Sequence, residues 1–187
     1  MTASKSPFWR LSLRMLSVGC LVTGAVLLSA CGAQEIPGKV IKVIADPKIA
    51  VGEPKDQPTL VDITVYAEPG ANRNDGGEAV PIDVWIFQLS DDGKFFQAEF
   101  DRLTTEPAAV LSTTFVKVKE VQVPPGESKT INELELKKDT TFIGIAGGYV
   151  DPDKVDWRTV EAVKSKGETY KLLAVMNRRK IITNLHR

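Results

Sequence analysis

Two stretches of alternating side chains constrain this chain more than any other feature. In Leu60 to Tyr66, Val61, Ile63 and Val65 share one face while Asp62, Thr64 and Tyr66 share the other. A period of two is the signature of a strand, because successive side chains of an extended backbone point to opposite faces. In Ile82 to Leu89, Ile82, Val84 and Ile86 oppose Asp83, Trp85 and Phe87, so the second stretch is apolar on most of both faces. That pattern places it inside a sheet covered on both sides. The chain has to bury a sheet, and everything else must supply the cover.

The residues that follow continue in strand chemistry with one helical excursion. After SDDGK, the run FFQAEFDRLTTEPAAVL spaces Phe96, Phe100 and Leu103 as i, i+4 and i+7, which predicts an amphipathic helix of about two turns, and Pro107 opens a second short turn over Ala108 to Leu111. Thr113 to Val123 alternates Val116 and Val118 against Lys117 and Lys119, then shifts phase to Val121 and Val123, which predicts a β-bulge near Lys119 or Glu120. Pro124-Pro125-Gly126 makes a turn, Lys129 to Leu136 a less regular strand, and Thr141 to Val150 a buried strand whose glycines admit close backbone approach. Asp151 to Gly167 reads as a loop anchored by Trp157, and Glu168 to Val175 pairs with Arg179 to Thr183 in a closing hairpin around Met176 to Arg178. Seven or eight short strands with little helix predict a mainly β fold, an antiparallel two-sheet β-sandwich with a small helical insertion.

Ahead of the strands, Lys5, Arg10 and Arg14 precede an uncharged, mainly apolar run from Met15 to Leu28. Its 14 residues fall short of the roughly 20 needed to span the hydrocarbon of a bilayer. The order of basic and apolar regions reads as a signal peptide. Leu28-Ser29-Ala30-Cys31 then resembles a bacterial lipobox, in which the cysteine thiol takes up diacylglycerol, the chain is cut before it, and the new amino terminus is acylated. Cleavage removes residues 1–30 and leaves 157 of 187, with Cys31 the one remaining cysteine, so no intramolecular disulfide staples the fold. About 150 residues bury enough surface to form a single domain without one. Residues 31–58 read as a lipidated tether (Gly32 to Gly38) and an extended arm (Val40 to Ile49), and residues 59–187 as the sandwich. The signal carries three cations away, so Lys+Arg falls from 24 to 21 against 24 Asp+Glu, a net charge of −3 that argues against nucleic acid as a partner. Acyl chains supply membrane attachment instead. Gly32 rather than an aspartate after the cysteine resembles the sorting pattern that sends such proteins to the outer membrane, facing the periplasm.

Catalytic constellations are poor. The one histidine, His186, is the penultimate residue, where no triad or histidine metal cluster can be built around it. DPDKVD and NRNDGGE lack the carboxylate spacing of a calcium loop, and GIAGG sits within a strand rather than between strand and helix. No enzymatic activity and no cofactor are expected beyond the covalent lipid on Cys31. The segment Ala67 to Ala79, AEPGANRNDGGEA, is too long for a tight hairpin. Its residue chemistry leaves a mobile connector and a binding loop both open.

An ordered set of features resembles the TssJ family, outer-membrane lipoproteins of the bacterial type VI secretion system. They are the lipobox at Cys31, the strand, loop and strand DITVYAEPGANRNDGGEAVPIDVWIFQL with Pro81 and Phe87-Gln88-Leu89, the helical FFQAEFDRL, the VPPGESKTI turn, and FIGIAGGYVDPDKVDWRTV with Asp156-Trp157-Arg158. The resemblance implies a transthyretin-like sandwich anchored by lipid to the inner leaflet of the outer membrane. It also implies binding to the periplasmic C-terminal region of TssM, which works with TssL in the inner membrane, through the loop between the first two core strands. Carried onto this chain, the partner-binding residues are Asn72, Arg73, Asn74, Asp75, Gly76 and Gly77. The arm before Pro58 and the basic end NRRKIITNLHR depart from the pattern. The competing expectation is a periplasmic ligand- or carbohydrate-binding lipoprotein that stacks its ligand on Trp85, Tyr149 or Trp157.

Overall fold

The computed structural model describes residues 54–187, so the signal peptide, Cys31 and the arm Val40 to Ile49 lie outside the described residues. Eight strands, β1 (Leu60–Ala67), β2 (Ile82–Leu89), β3 (Phe115–Val123), β4 (Ser128–Glu135), β5 (Phe142–Gly148), β6 (Arg158–Ala162), β7 (Thr169–Met176) and β8 (Ile181–His186), accompany three short helices, α1 (Gly93–Gln97), α2 (Phe100–Thr105) and α3 (Pro107–Leu111). The strands form two sheets, β4-β1-β7-β8 and β3-β2-β5-β6. The expected two-sheet β-sandwich is therefore observed. Its neighbours pair antiparallel except β1 and β7, which run parallel from Leu60 opposite Thr169 to Ala67 opposite Met176.

Between the sheets, Val61, Ile63 and Val65 of β1 pack with Val84 and Ile86 of β2 and Ile145 of β5 in one buried cluster. Each such side chain contributes about 1.5–3 kcal/mol by leaving water. The other face of β2 is also covered. Phe87 and Leu89 pack with Phe95, Leu103 and Leu111 from the three helices, which meets the demand made by apolar residues on both faces of this strand.

The expected second turn at Pro107 is α3, but the first expected helix is split into two, α1 and α2. Ala98 is extended (φ −69°, ψ 143°) between α1 and α2, and this break resets the helical phase. Phe95 becomes the fully buried residue and Phe96 is 45 % exposed. Phe95 fits because β5 offers no side chain at Gly144, where an added Cβ would lie 3.0 Å from Phe95 Cζ and 3.0 Å from Leu89 Cδ1. The carbonyl oxygens at the break are taken up by Arg158 of β6, whose Nη1 donates to Phe95 O (2.8 Å) and Ala98 O (2.5 Å). Those groups would otherwise be orphans of a helix end.

Two further expectations change. The bulge predicted near Lys119 or Glu120 is absent: Ile86 faces Lys119 and Trp85 faces Glu120 in unbroken register, and the irregularity lies instead between Gln88 and Leu89, where Gln88 faces Lys117 and Leu89 faces Phe115. The shift of apolar phase along β3 records a change of cover. Val118 packs on the helical side of the sheet and Val121 on the inter-sheet side. Within the expected loop from Asp151 to Gly167, residues Arg158–Ala162 form β6, the edge strand beside β5.

Gln88 locks the sheets together. It is buried on β2, its Nε2 donates to Glu135 O (3.2 Å), and its Oε1 accepts from Lys137 N (2.8 Å) and Thr140 Oγ1 (3.0 Å). Gln88→Ala strands those partners, and we expect it to cost about 1–3 kcal/mol. Urea unfolding of the variant would show this as a lower midpoint at unchanged slope.

Candidate functional site

Strand direction sorts the connections into two poles. Thr59 enters β1 at one end of the sandwich, where Thr59 N and O bond Ser165 O and Leu136 N and the Pro58–Lys166 bridge forms. The eight residues of β1 then carry the chain about 26 Å, at roughly 3.3 Å per residue, to the opposite pole. There the connections 68–81, 124–127, 149–157 and 177–180 gather.

The first of these is the predicted binding loop, and it is held from its base. Asn72 is 5 % exposed. Its Nδ2 donates to Pro81 O (3.0 Å) and its Oδ1 accepts from Val150 N (2.9 Å), so one amide ties the loop to the start of β2 and to the residue just beyond β5. Its own carbonyl accepts from Val80 N (3.1 Å). Outside this latch residues 73–79 form a miniature hairpin, bridged between Arg73 and Ala79. Asn74 N donates to Glu78 O (3.0 Å), Gly77 N to Asn74 O (2.9 Å) and Glu78 N to Asn74 Oδ1 (2.9 Å). Gly77 has φ +81°, a left-handed conformation that glycine adopts without penalty. Arg73 donates to Gly77 O across the turn.

Of the six predicted contact residues, then, Arg73, Asp75, Gly76 and Gly77 are exposed on the projecting turn and Asn74 is half-buried within it, whereas Asn72 is interior and fully engaged in holding the loop. The segment is a built projection, because its polar groups find partners within the loop and at its base.

The neighbouring connections frame it. Tyr149 is 5 % exposed, with its hydroxyl 3.5 Å from Lys180 O; burial, and then the charge of Glu68, raises its pKa far above the ordinary phenol value and keeps it neutral. Lys154 lies 2.5 Å from Asp151, and that hydrogen-bonded ion pair raises the lysine pKa. In the β7–β8 turn Asn177 Oδ1 accepts from Arg179 N (2.9 Å) and Lys180 N (3.0 Å), an Asx turn. It leaves Arg178, Arg179 and Lys180 exposed at this pole. The sequence marks these three cations only as part of the basic end NRRKIITNLHR, although Asn followed by RRK suits such a turn.

The aromatic residues weighed as a ligand platform serve the interior. Trp85 and Trp157 are half-buried and both meet Phe100 edge to face, at ring centroid distances of 5.9 and 5.0 Å. Arg158 lies 4.3 Å over the Trp157 ring, and burial lowers its pKa. Among the described residues no three of His, Cys, Asp and Glu stand where they would hold a metal ion, and no helix is long and apolar enough to cross a membrane.

Residues 59–181 match the T6SS-SciN family, described as type VI secretion lipoprotein, VasD, EvfM, TssJ. Among solved structures the chain is similar to the T6SS lipoprotein TssJ1 of Pseudomonas aeruginosa, with 28 % identity and a TM-score of 0.64 over 70 % of this chain and 98 % of that one. It shares its fold with Serratia marcescens Lip, a membrane bound component of the type VI secretion system (18 % identity, TM-score 0.60, 67 % and 96 % coverage). The same fold occurs in a chain of the structure described as the T6SS protein TssM C-terminal domain from EAEC (23 %, 0.55, 67 % and 99 %). No curated protein sequence matches.

Removing the Asn72 amide should release the loop base without touching the exposed turn. Asn72→Ala is expected to lower stability by about 1–3 kcal/mol, the cost of unpaired buried groups. Amide exchange provides the specific check, since protection of Val150 N–H should fall more than that of Ile145 in the strand centre.

Proposed function

The chain belongs to the type VI secretion lipoprotein family, and we propose that it is the outer-membrane tether of a type VI membrane complex, holding the periplasmic C-terminal region of TssM through the loop between β1 and β2. Cys31, acylated after signal cleavage, fixes the amino-terminal side to the inner leaflet. TssM, working with TssL, reaches toward it from the inner membrane. The work of the protein is mechanical linkage, and its chemistry is confined to the lipid on Cys31.

One observation carries the reading: the preformed turn at residues 73–77 stands at the pole opposite Thr59, the end through which the chain arrives from Cys31. A domain suspended from a membrane at one pole presents the other to the periplasm. The turn is also ordered before any partner arrives, because Asn72 and the Asn74–Glu78 bonds hold it. Binding then proceeds without the cost of ordering a slack loop. A TssJ-like fold in the structure described as the TssM C-terminal domain further supports this choice of partner.

Replacing residues 73–77 by Gly and Ser of equal length, with Asn72 kept, should leave the full chain folded and raise its Kd for the TssM periplasmic C-terminal region about 100-fold or more, as expected for the centre of an interface. Native affinity in that variant would move the contact elsewhere on the surface. For the anchor, cells fed labelled palmitate should label the wild-type chain and fail to label Cys31→Ser, which should also leave the outer-membrane fraction. A wild-type chain without label would overturn the lipidation.

A further inference from the structure

The geometry points to a second element of this pole: a carboxylate-binding cleft between Arg73 and Arg178, fitted to an acidic side chain of the same partner protein. The inference rests on the tether reading above and names the chemistry by which the partner is recognised.

A cleft of about 270 Å³ opens beside the binding loop, lined by Gly70 to Arg73, by the connection after β5, and by Arg178 from the turn between β7 and β8. Its charged lining is Arg73, Lys154, Arg178 and Asp151. Asp151 and Lys154 neutralise each other at 2.5 Å. What remains is two guanidinium groups. Both side chains converge on Gly70, where an ideal Cβ would lie 3.3 Å from Arg73 Nη2 and 3.9 Å from Arg178 Cδ. Among the described residues neither arginine is in an ion pair, and Arg73 spends one donor on the carbonyl of Gly77. Glu68 and Asp75 act electrostatically on Tyr149 and Lys154 respectively, but neither lines the cleft.

Two arginines whose side chains approach one backbone glycine and line one cleft carry like charges, which an anion between them would join. Guanidinium forks suit a carboxylate because their paired N–H groups match its two oxygens. Tyr149, buried and neutral at the cleft wall, adds no competing charge. The Asx turn fixes the backbone that carries Arg178, so the side chain starts from an ordered base. The loop turn supplies shape, and this cleft supplies charge recognition on its flank.

Binding of the full lipidated chain, extracted in detergent, to the TssM periplasmic C-terminal region tests this at two salt concentrations. Arg178→Glu should raise Kd about tenfold at low salt and flatten its salt dependence. Arg179→Glu makes the same charge change one residue outside the cleft and should stay within about threefold of wild type. Equal loss in both variants, or none in Arg178→Glu, overturns the cleft. If none is seen while the 73–77 replacement abolishes binding, the tether reading stands without it. An octaglutamate peptide separates the remaining case. A wild-type chain that fails to bind TssM but binds the peptide in an Arg178-dependent way keeps the cleft and loses the partner; failure with both overturns both. Thermal unfolding of each variant at the wild-type temperature excludes misfolding as the cause, since Arg178 is exposed.

Discussion

From Ile86 to Leu89, β2 has no face left for water. Ile82, Val84 and Ile86 meet the opposite sheet, and Phe87 and Leu89 need cover on the other side. A sandwich of two open sheets would leave those rings wet, so the connection from β2 to β3 has to fold back as a lid. Helices of five or six residues are too short to be stable alone. They are held by tertiary contacts: Phe95 seated over Gly144, Arg158 on the carbonyls at the break, and Phe100 against Trp85 and Trp157. The Trp-Arg pair at the start of β6 is thus the clamp of the lid. This also explains what Trp85 and Trp157 do in the fold.

The strand pattern was legible because alternation follows burial directly. β1 and β2 appear where Val61 to Val65 and Ile82 to Ile86 alternate, and both sheets follow. What escaped was whatever depends on a third element. Phe96, Phe100 and Leu103 satisfy a helical period, but the period assumes one continuous helix, and the buried ring is Phe95 because Gly144 makes room for it. β6 escaped because a half-covered edge strand of five residues, RTVEA, has too few apolar positions to alternate. The phase shift in β3 is visible as a pattern, but its cause lies in the elements that cover the strand. Two covers on opposite faces produce the same irregularity in sequence as an inserted residue. The parallel pairing of β1 with β7 is a matter of topology, which the residues of either strand leave open.

The loop shows the same division. Its length and turn chemistry mark it as unusual, and its Asn, Gly and Asp residues are those that build tight turns. Residue type alone does not separate a side chain offered to a partner from one consumed in support. Asn72 and Asn74 differ by two positions, yet the first is buried under Val150 and Pro81 while the second caps an exposed turn. The distinction lies in contacts 78 residues away along the chain, between Asn72 and the end of β5. Arg178 is a similar case, since it joins the pole only because β7 runs parallel to β1 and delivers its turn to the same end.

That parallel pairing has a further consequence for how the poles divide their work. With β1 and β7 running together, Thr59 and Glu168 meet at one end, where Leu60 N bonds Glu168 O. The loop after β1 and the turn after β7 meet at the other, where Glu68 N bonds Met176 O. Load applied at the loop pole therefore reaches the amino-terminal pole along two adjacent strands paired in parallel register over eight residues. Pulling β1 out lengthwise requires shearing those bonds and the ladder to β4 together, while a hairpin at a sheet edge would peel one bond at a time. In the proposed tether, suspended by its first residues and gripped at its far end, the central strand is the one that bears the pull, and β1 is paired on both sides.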